Sequence, residues 1–370
     1  MLFDDIRREY QGPALYAEPQ FTYLNRSARP QAVTIRDTLE RWFSRYPEGE
    51  TKKDVIGRFR SGDDSQYRSA FFELLLHELL LQLNCMIELH PPIEGTANRP
   101  DFLVNPTAGS SFYLEAAIVS DESDEEAAAR ARMNTIYDVL DRLDSPDFFV
   151  GIEIDQLPVS PPPARQIRAF LKRNLDLVNA DTIADLWRTK GFDAVPRWPF
   201  NYSNWEIEFY PIPKKPESRG KHGVRPLGAF IQSRARDIDS VSALRDKLLE
   251  KASHYGELSL PYVIAVDALT DIPVDCDDVC DALFRKEDGL WMSPSGPRYT
   301  RVSCVMITRV QEWNVSNAPT YLYHNPWARF VYDSCLTNLT QAKMHNDAIK
   351  WLDGKPLGEL LRLPPNWPEC

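Results

Sequence analysis

The stretch from Ala70 to Leu83 (AFFELLLHELLLQL) constrains the fold more than any other, because wound as a helix it is apolar on almost every side. It is too short to cross a bilayer, which needs about 20 apolar residues, and Glu73, His77, Glu78 and Gln82 interrupt it. The pattern predicts a core helix over Arg68 to Leu83, entered from the polar turn SGDDSQ at Ser61 to Gln66. Charged residues in such a helix need partners, so Glu73 and Glu78 are informative. They lie about 140° apart around the axis and face different neighbours.

A short apolar segment, Met86 to His90, follows and ends at Pro91-Pro92. Asp101 to Val104 and Phe112 to Val119 read as two strands separated by the turn-rich NPTAGSS, giving the local order helix, strand, hairpin. Further helices are predicted at Val33 to Tyr46, Ala127 to Leu143, Ala164 to Leu177 and Ser240 to Tyr255, the last with Ser240 or Ser242 as N-cap and Gly256 as its stop. Phe148 to Ile154, Trp205 to Tyr210, Leu260 to Asp267 and Val302 to Arg309 read as strands. The tail from Asn314 onward, rich in aromatics, Asn and Pro, reads as loops, and Trp313, Tyr321, Tyr323, His324 and Trp327 are candidates for stacking or for core packing.

Helices alternating with strands in a chain of 370 residues, 43% hydrophobic and 26% charged, point to a folded α/β protein with a mixed central sheet flanked by helices. The expected division is an N-terminal helical extension (1–67), a core from 68–120 and 240–310, an insertion over 121–239 packed on that core, and an aromatic, loop-rich extension (311–370). The opening MLFDDIRREY has no apolar h-region, which predicts no secretory signal and a cytoplasmic protein with no membrane partner. Six cysteines, at 85, 276, 280, 304, 335 and 370, are too sparse for a disulfide scaffold and lack the paired spacing of a zinc ribbon. Phosphate-loop, dinucleotide, nucleophile-elbow and zincin signatures are all absent from the sequence.

A net charge of −11 opposes broad attraction to nucleic acid. One stretch runs the other way. Between Pro211 and Arg236, Lys214, Lys215, Arg219, Lys221, Arg225, Arg234 and Arg236 face only Glu217. Lys214, Lys215, Lys221 and Arg225 are the expected nucleic-acid contacts, with a solvated loop as the plainer reading.

Three carboxylates arrive on helix, strand and strand: Glu73, Asp101 in Arg99-Pro100-Asp101, and Glu115 in Tyr113-Leu114-Glu115-Ala116-Ala117. Phosphodiester hydrolysis uses a hard divalent cation with oxygen ligands, and carboxylates at a strand end supply them. Each acid also has a structural reading. Asp101 could simply close a hairpin, and Glu73 could pair with Arg68 or Arg99. Glu115, flanked by Phe112, Leu114, Ile118 and Val119, is costly to bury unless paired, hydrogen-bonded or metal-bound.

This block resembles the PD-(D/E)xK nuclease superfamily, the restriction-endonuclease-like fold, over residues 70–120 and 240–270. In that family an acid on the first helix precedes a Pro-Asp at a hairpin, and an acid-x-Lys lies on the adjoining strand. The resemblance implies a nuclease-like protein that hydrolyses phosphodiester bonds in DNA or RNA, with Mg2+ (or Mn2+) on Asp101 and Glu115 and with Glu73 completing the site. Ala117 stands where the family has lysine. Some members draw the lysine from the following helix, which implies Lys251, or Lys247 one turn earlier, as its substitute. The alternative is a catalytically inactive nuclease-fold module that binds nucleic acid or protein. An insertion between Glu115 and that helix is tolerable because loop-closure cost grows only logarithmically with length.

Overall fold

The computed structural model describes every residue except 121, 155–157, 159, 225, 232–238, 271–273, 346–347 and 370, with residues 124 and 227–231 described by backbone alone. Four helices come first: α1 (Gln20–Arg26), α2 (Pro30–Ser44), α3 (Glu50–Phe59) and α4 (Asp64–Gln82). Three strands follow, β1 (Cys85–Leu89), β2 (Phe102–Pro106) and β3 (Phe112–Val119). The middle of the chain forms α5 (Asp124–Asp141), β4 (Phe148–Glu153), α6 (Ala164–Leu175), α7 (Ala180–Lys190), β5 (Trp198–Tyr202), β6 (Trp205–Pro213) and β7 (Leu227–Ile231). The remainder holds α8 (Ser240–Ser253), β8 (Tyr262–Ala268), α9 (Cys276–Phe284), the short β9 (Met292–Ser293) and β10 (Gly296–Pro297), β11 (Val302–Thr308), β12 (Thr320–His324), β13 (Thr340–His345), β14 (Ala348–Leu352) and α10 (Leu357–Leu360).

The chain divides into two compact units, one from Met1–Pro13, Pro19–Asp121 and Ile238–Cys370, the other from Ala14–Glu18 and Glu122–Asp237. The first is built on an eight-stranded mixed sheet in the order β1-β2-β3-β8-β11-β12-β13-β14. The β1–β2 and β2–β3 pairs are antiparallel, whereas β3–β8 and β8–β11 are parallel. Every residue of β8 and β11 is buried, as expected of parallel strands with helices on both faces. The side-chain period of two divides them: Val263 and Ala265 join the α4 core with Phe71, Leu75 and Leu114, while Ile264 and Val266 join Leu244, Leu248 and Leu283 of α8 and α9.

Helix α4 is capped by Asp63, whose side chain accepts the Ser65 N–H. It is apolar nearly all round because α1, α2 and α3 cover the side turned away from β1 and β3. Asp239 caps α8 by accepting the Ser242 N–H, in place of the Ser240 or Ser242 cap expected from sequence. The tail after Asn314 departs further from expectation. It adds β12, β13 and β14 to the sheet, and Trp351 packs edge-on against Tyr321 and Tyr323. Such strands of five or six residues draw their order from pairing with a preformed edge rather than from a strong pattern of their own. Among the described residues no helix is long and apolar enough to cross a membrane.

The second unit is a four-stranded sheet, β5-β6-β4-β7, with Ile136 and Leu140 of α5 and Ile167 and Leu171 of α6 packed on Val150 and Phe209. Gly151 of β4 lies opposite Tyr210 of β6. A Cβ on Gly151 would fall 2.0 Å from the Tyr210 ring, which is itself buried and cannot swing into solvent. Gly151→Ala is therefore expected to lower stability by about 1–3 kcal/mol through overpacking, read as a drop in the urea midpoint with the slope unchanged.

Candidate active site

Asp101 sits immediately before β2, where His90 N–H donates to its backbone carbonyl at 3.0 Å and continues the β1–β2 ladder. Its side chain reaches across to β3, and Oδ2 accepts the Ala116 N–H at 2.7 Å. Among the described residues no donor reaches Oδ1. The adjoining Glu115 is 5% exposed and turns to the α8 face of the sheet. Lys251 Nζ donates to its Oε1 at 2.7 Å and Tyr255 OH to its Oε2 at 2.5 Å. The last turn of α8 supplies the lysine, and the tyrosine lies one helical turn further along the chain, just past the helix end. Tyr262 OH donates to the Lys251 carbonyl at 3.2 Å and so ties this turn to β8.

The acids share one electrostatic environment. Burial, then the neighbouring Glu115 and Glu73 charges, push the Asp101 carboxyl up to about 8, against the pull of the Ala116 N–H and Lys251. Burial alone would lower Lys251, but the Glu115 carboxylate outweighs it and holds the ammonium above its ordinary value. Tyr255 is raised by burial and by the same carboxylate, so it remains a donor.

Glu73 is engaged by a residue that sequence reasoning did not single out. Arg58 of α3 grips it in a two-pronged pair, Nη1 to Oε1 and Nη2 to Oε2, both at 2.6 Å. The expected partners Arg68 and Arg99 are not the ones used. His77, one turn along α4, is 2% exposed, packs on the Tyr46 ring at 4.6 Å and is lowered to about 4 by burial and by Arg45, which leaves it neutral. Glu78 is fully buried and pairs with Arg45. Lys247 pairs with Glu250 at 2.6 Å. Among the described residues no group of three or more His, Cys, Asp or Glu side chains is placed to hold a metal ion, so Glu73, Asp101 and Glu115 do not form an all-protein cage.

The basic stretch belongs to the second unit and splits. Lys214, expected as a nucleic-acid contact, is only 2% exposed and donates to the Ser145 carbonyl at 2.7 Å over the Phe149 ring, so its ammonium is committed inside the fold. Lys215 and Lys221 are exposed. Arg219 is half-buried and paired with Asp181. Arg225, Arg234 and Arg236 lie outside the described residues.

Arg58 and Tyr255 are the residues contacting the candidate carboxylates that were missed from sequence. Tyr255 carried a signal, four positions after Lys251 on one helical face. Arg58 carried none beyond a short polar stretch.

The raised Asp101 pKa has a stability consequence with a definite sign. In the unfolded chain the group ionises near 3.8 and in the fold near 8, so its contribution is complete below about pH 4 and is lost as pH rises through 8. Asp101→Asn keeps an oxygen for the Ala116 N–H and removes that loss. The variant is expected to be more stable than wild type at about pH 9, by several kcal/mol, with the advantage fading toward pH 4; urea melts of both proteins across this range check it. No protein-family model, no curated protein and no solved structure matches this chain.

Proposed function

We propose that the first unit is a metal-dependent phosphodiesterase of the restriction-endonuclease-like kind, acting on DNA or RNA. The observation that carries this reading is the convergence of Lys251 on Glu115 beside the raised carboxyl of Asp101. The order α4, β1, β2, β3, α8, β8, with three antiparallel strands followed by a parallel one, resembles the core of that superfamily and supports the same reading.

The donor set fits Mg2+ or Mn2+. Mg2+ is held by one or two carboxylates and keeps water and phosphate oxygens for its remaining positions, so Asp101 and Glu115 suffice without a third acid. A carboxyl whose ionisation is opposed by a second acid is also one that a nearby cation would relieve. When bound, the cation supplies charge neutralisation at the phosphate and activation of water. Asp101 and Glu115 would hold it, Lys251 would orient the attacking water and donate to the charge that builds on the phosphate, and Tyr255 fixes the Glu115 rotamer from the opposite oxygen. Arg58 neutralises Glu73 at the edge of this cluster. Among the described residues of the basic stretch, Lys215 and Lys221 are exposed cations that would suit a phosphate backbone.

A second reading rests on the same geometry. Both oxygens of Glu115 already have protein donors, as in a satisfied structural pair, and this favours a nuclease-fold module that binds without cutting. Calorimetric titration with Mg2+ and Mn2+, alongside cleavage of plasmid and single-stranded substrates, separates the two. The enzyme reading expects wild type to bind and cut and Asp101→Asn to lose both. Lys251→Arg, which keeps a cation on Glu115, is expected to retain binding and lose about 10²-fold or more in cleavage rate. Identical metal titrations for wild type and Asp101→Asn, with no cutting by either, would defeat the enzyme reading.

A further inference from the structure

We propose that Cys85 and Cys335 form an oxidisable thiol pair, which a hydroperoxide converts to a disulfide. The two residues are 250 positions apart in sequence, yet their Sγ atoms lie 3.4 Å from each other. Cys85 opens β1 at the edge of the eight-stranded sheet and is 6% exposed. Cys335 opens the short 3-10 turn Cys335–Asn338 and is half-buried, the more exposed residue of the pair.

The surroundings hold the pair in place. Cys85 is opposite Pro106 at the end of β2. The loop that leaves β2 is seated on the segment before Cys335: Gly109, at φ +90°, approaches so closely that a Cβ would fall 2.7 Å from the Asp333 carbonyl oxygen. The β2–β3 loop and the turn at 335 therefore brace each other beside the start of β1. A bond of about 2.05 Å requires the sulfurs to close the remaining gap, within reach of side-chain torsion at the partly exposed partner.

The two thiols are not equivalent. The Cys85 thiol donates to Cys335, which holds Cys335 below its ordinary value against the opposing effect of burial, and Tyr332 and Ser334 add to this. Cys85 is raised by the same contact and by burial. Cys335, the more exposed residue of the two and the one whose sulfur accepts from the other, is therefore the attacking thiolate and Cys85 the resolving thiol. In the first step the Cys335 thiolate attacks one peroxide oxygen, the O–O bond breaks, and sulfenic acid and hydroxide form. In the second, Cys85 sulfur attacks the sulfenic sulfur, the S–O bond breaks, and water leaves with the Cys85 proton. The net change is two thiols and one hydrogen peroxide to one disulfide and two waters. The other described cysteines lack this arrangement: Cys304 is fully buried and raised by that burial, and Cys280 is pushed up to about 11 by burial and by Cys276.

The test uses the full chain, fully reduced and then exposed to stoichiometric hydrogen peroxide, quenched by alkylation and digested. A Cys85–Cys335 linked peptide, two hydrogens lighter than its separate parts and released by dithiothreitol, is expected from wild type. In Cys85→Ser the sulfenic acid has no resolving partner, so a dimedone adduct is expected on Cys335. In Cys335→Ser no adduct is expected on Cys85. Full alkylation of both residues in peroxide-treated wild type, or a link between Cys276 and Cys280 in place of the expected one, overturns the proposal without recourse to any variant.

Discussion

The first unit depends on how one buried charge is accommodated. Glu115 lies on the central face of a sheet covered by α8, where an unpaired carboxylate would cost several kcal/mol. Its two oxygens take two donors from successive turns at the end of one helix, Lys251 and Tyr255. The helix packs through Leu244, Leu248 and Ala252, so the apolar contact that buries the charge is the same contact that brings its counter-charge. Packing and electrostatics are satisfied by a single element in a single register.

A comparable arrangement serves the other face. Helix α4 carries Glu73 among apolar neighbours, and α3 brings Arg58 to it with matched two-pronged geometry. The two acids are neutralised from opposite sides of the sheet by different helices. Asp101, between them at the strand end, accepts a backbone N–H, and among the described residues no cation pairs with it directly. Burial first, and then the charges of Glu115 and Glu73, raise its carboxyl against the pull of that N–H and of Lys251.

What could be read in the sequence follows from how local the cause was. Ala70 to Leu83 announces a buried helix because no surface helix is apolar on every side, and NPTAGSS between two apolar runs announces a hairpin. Those two patterns bring Glu73, Asp101 and Glu115 into view, whereas Lys251 came only from the resemblance to the nuclease superfamily. Arg58 was not legible, because α3 is short and largely polar and its partner lies 15 residues away on another helix. Lys214 misled for a related reason. A lysine in a basic run reads as exposed, but its burial is decided by a carbonyl at Ser145, 69 residues distant, and by the Phe149 ring. Strands β12 to β14 were hidden because a neighbouring edge, rather than their own residues, gives them order.

The Ala116 N–H to Asp101 bond ties the separation of the two acids to the alignment of the hairpin itself, with Leu114 opposite Phe102. Side chains alternate between faces along a strand, so sliding β3 by a single position would carry Glu115 to the α4 side and put Ala116 against Lys251. The sheet could still close after such a slip, with most of its apolar residues reburied. The contacts of Glu115 with Lys251 and Tyr255 would not survive it, so the alignment of β2 with β3 fixes this cluster more tightly than it fixes the scaffold.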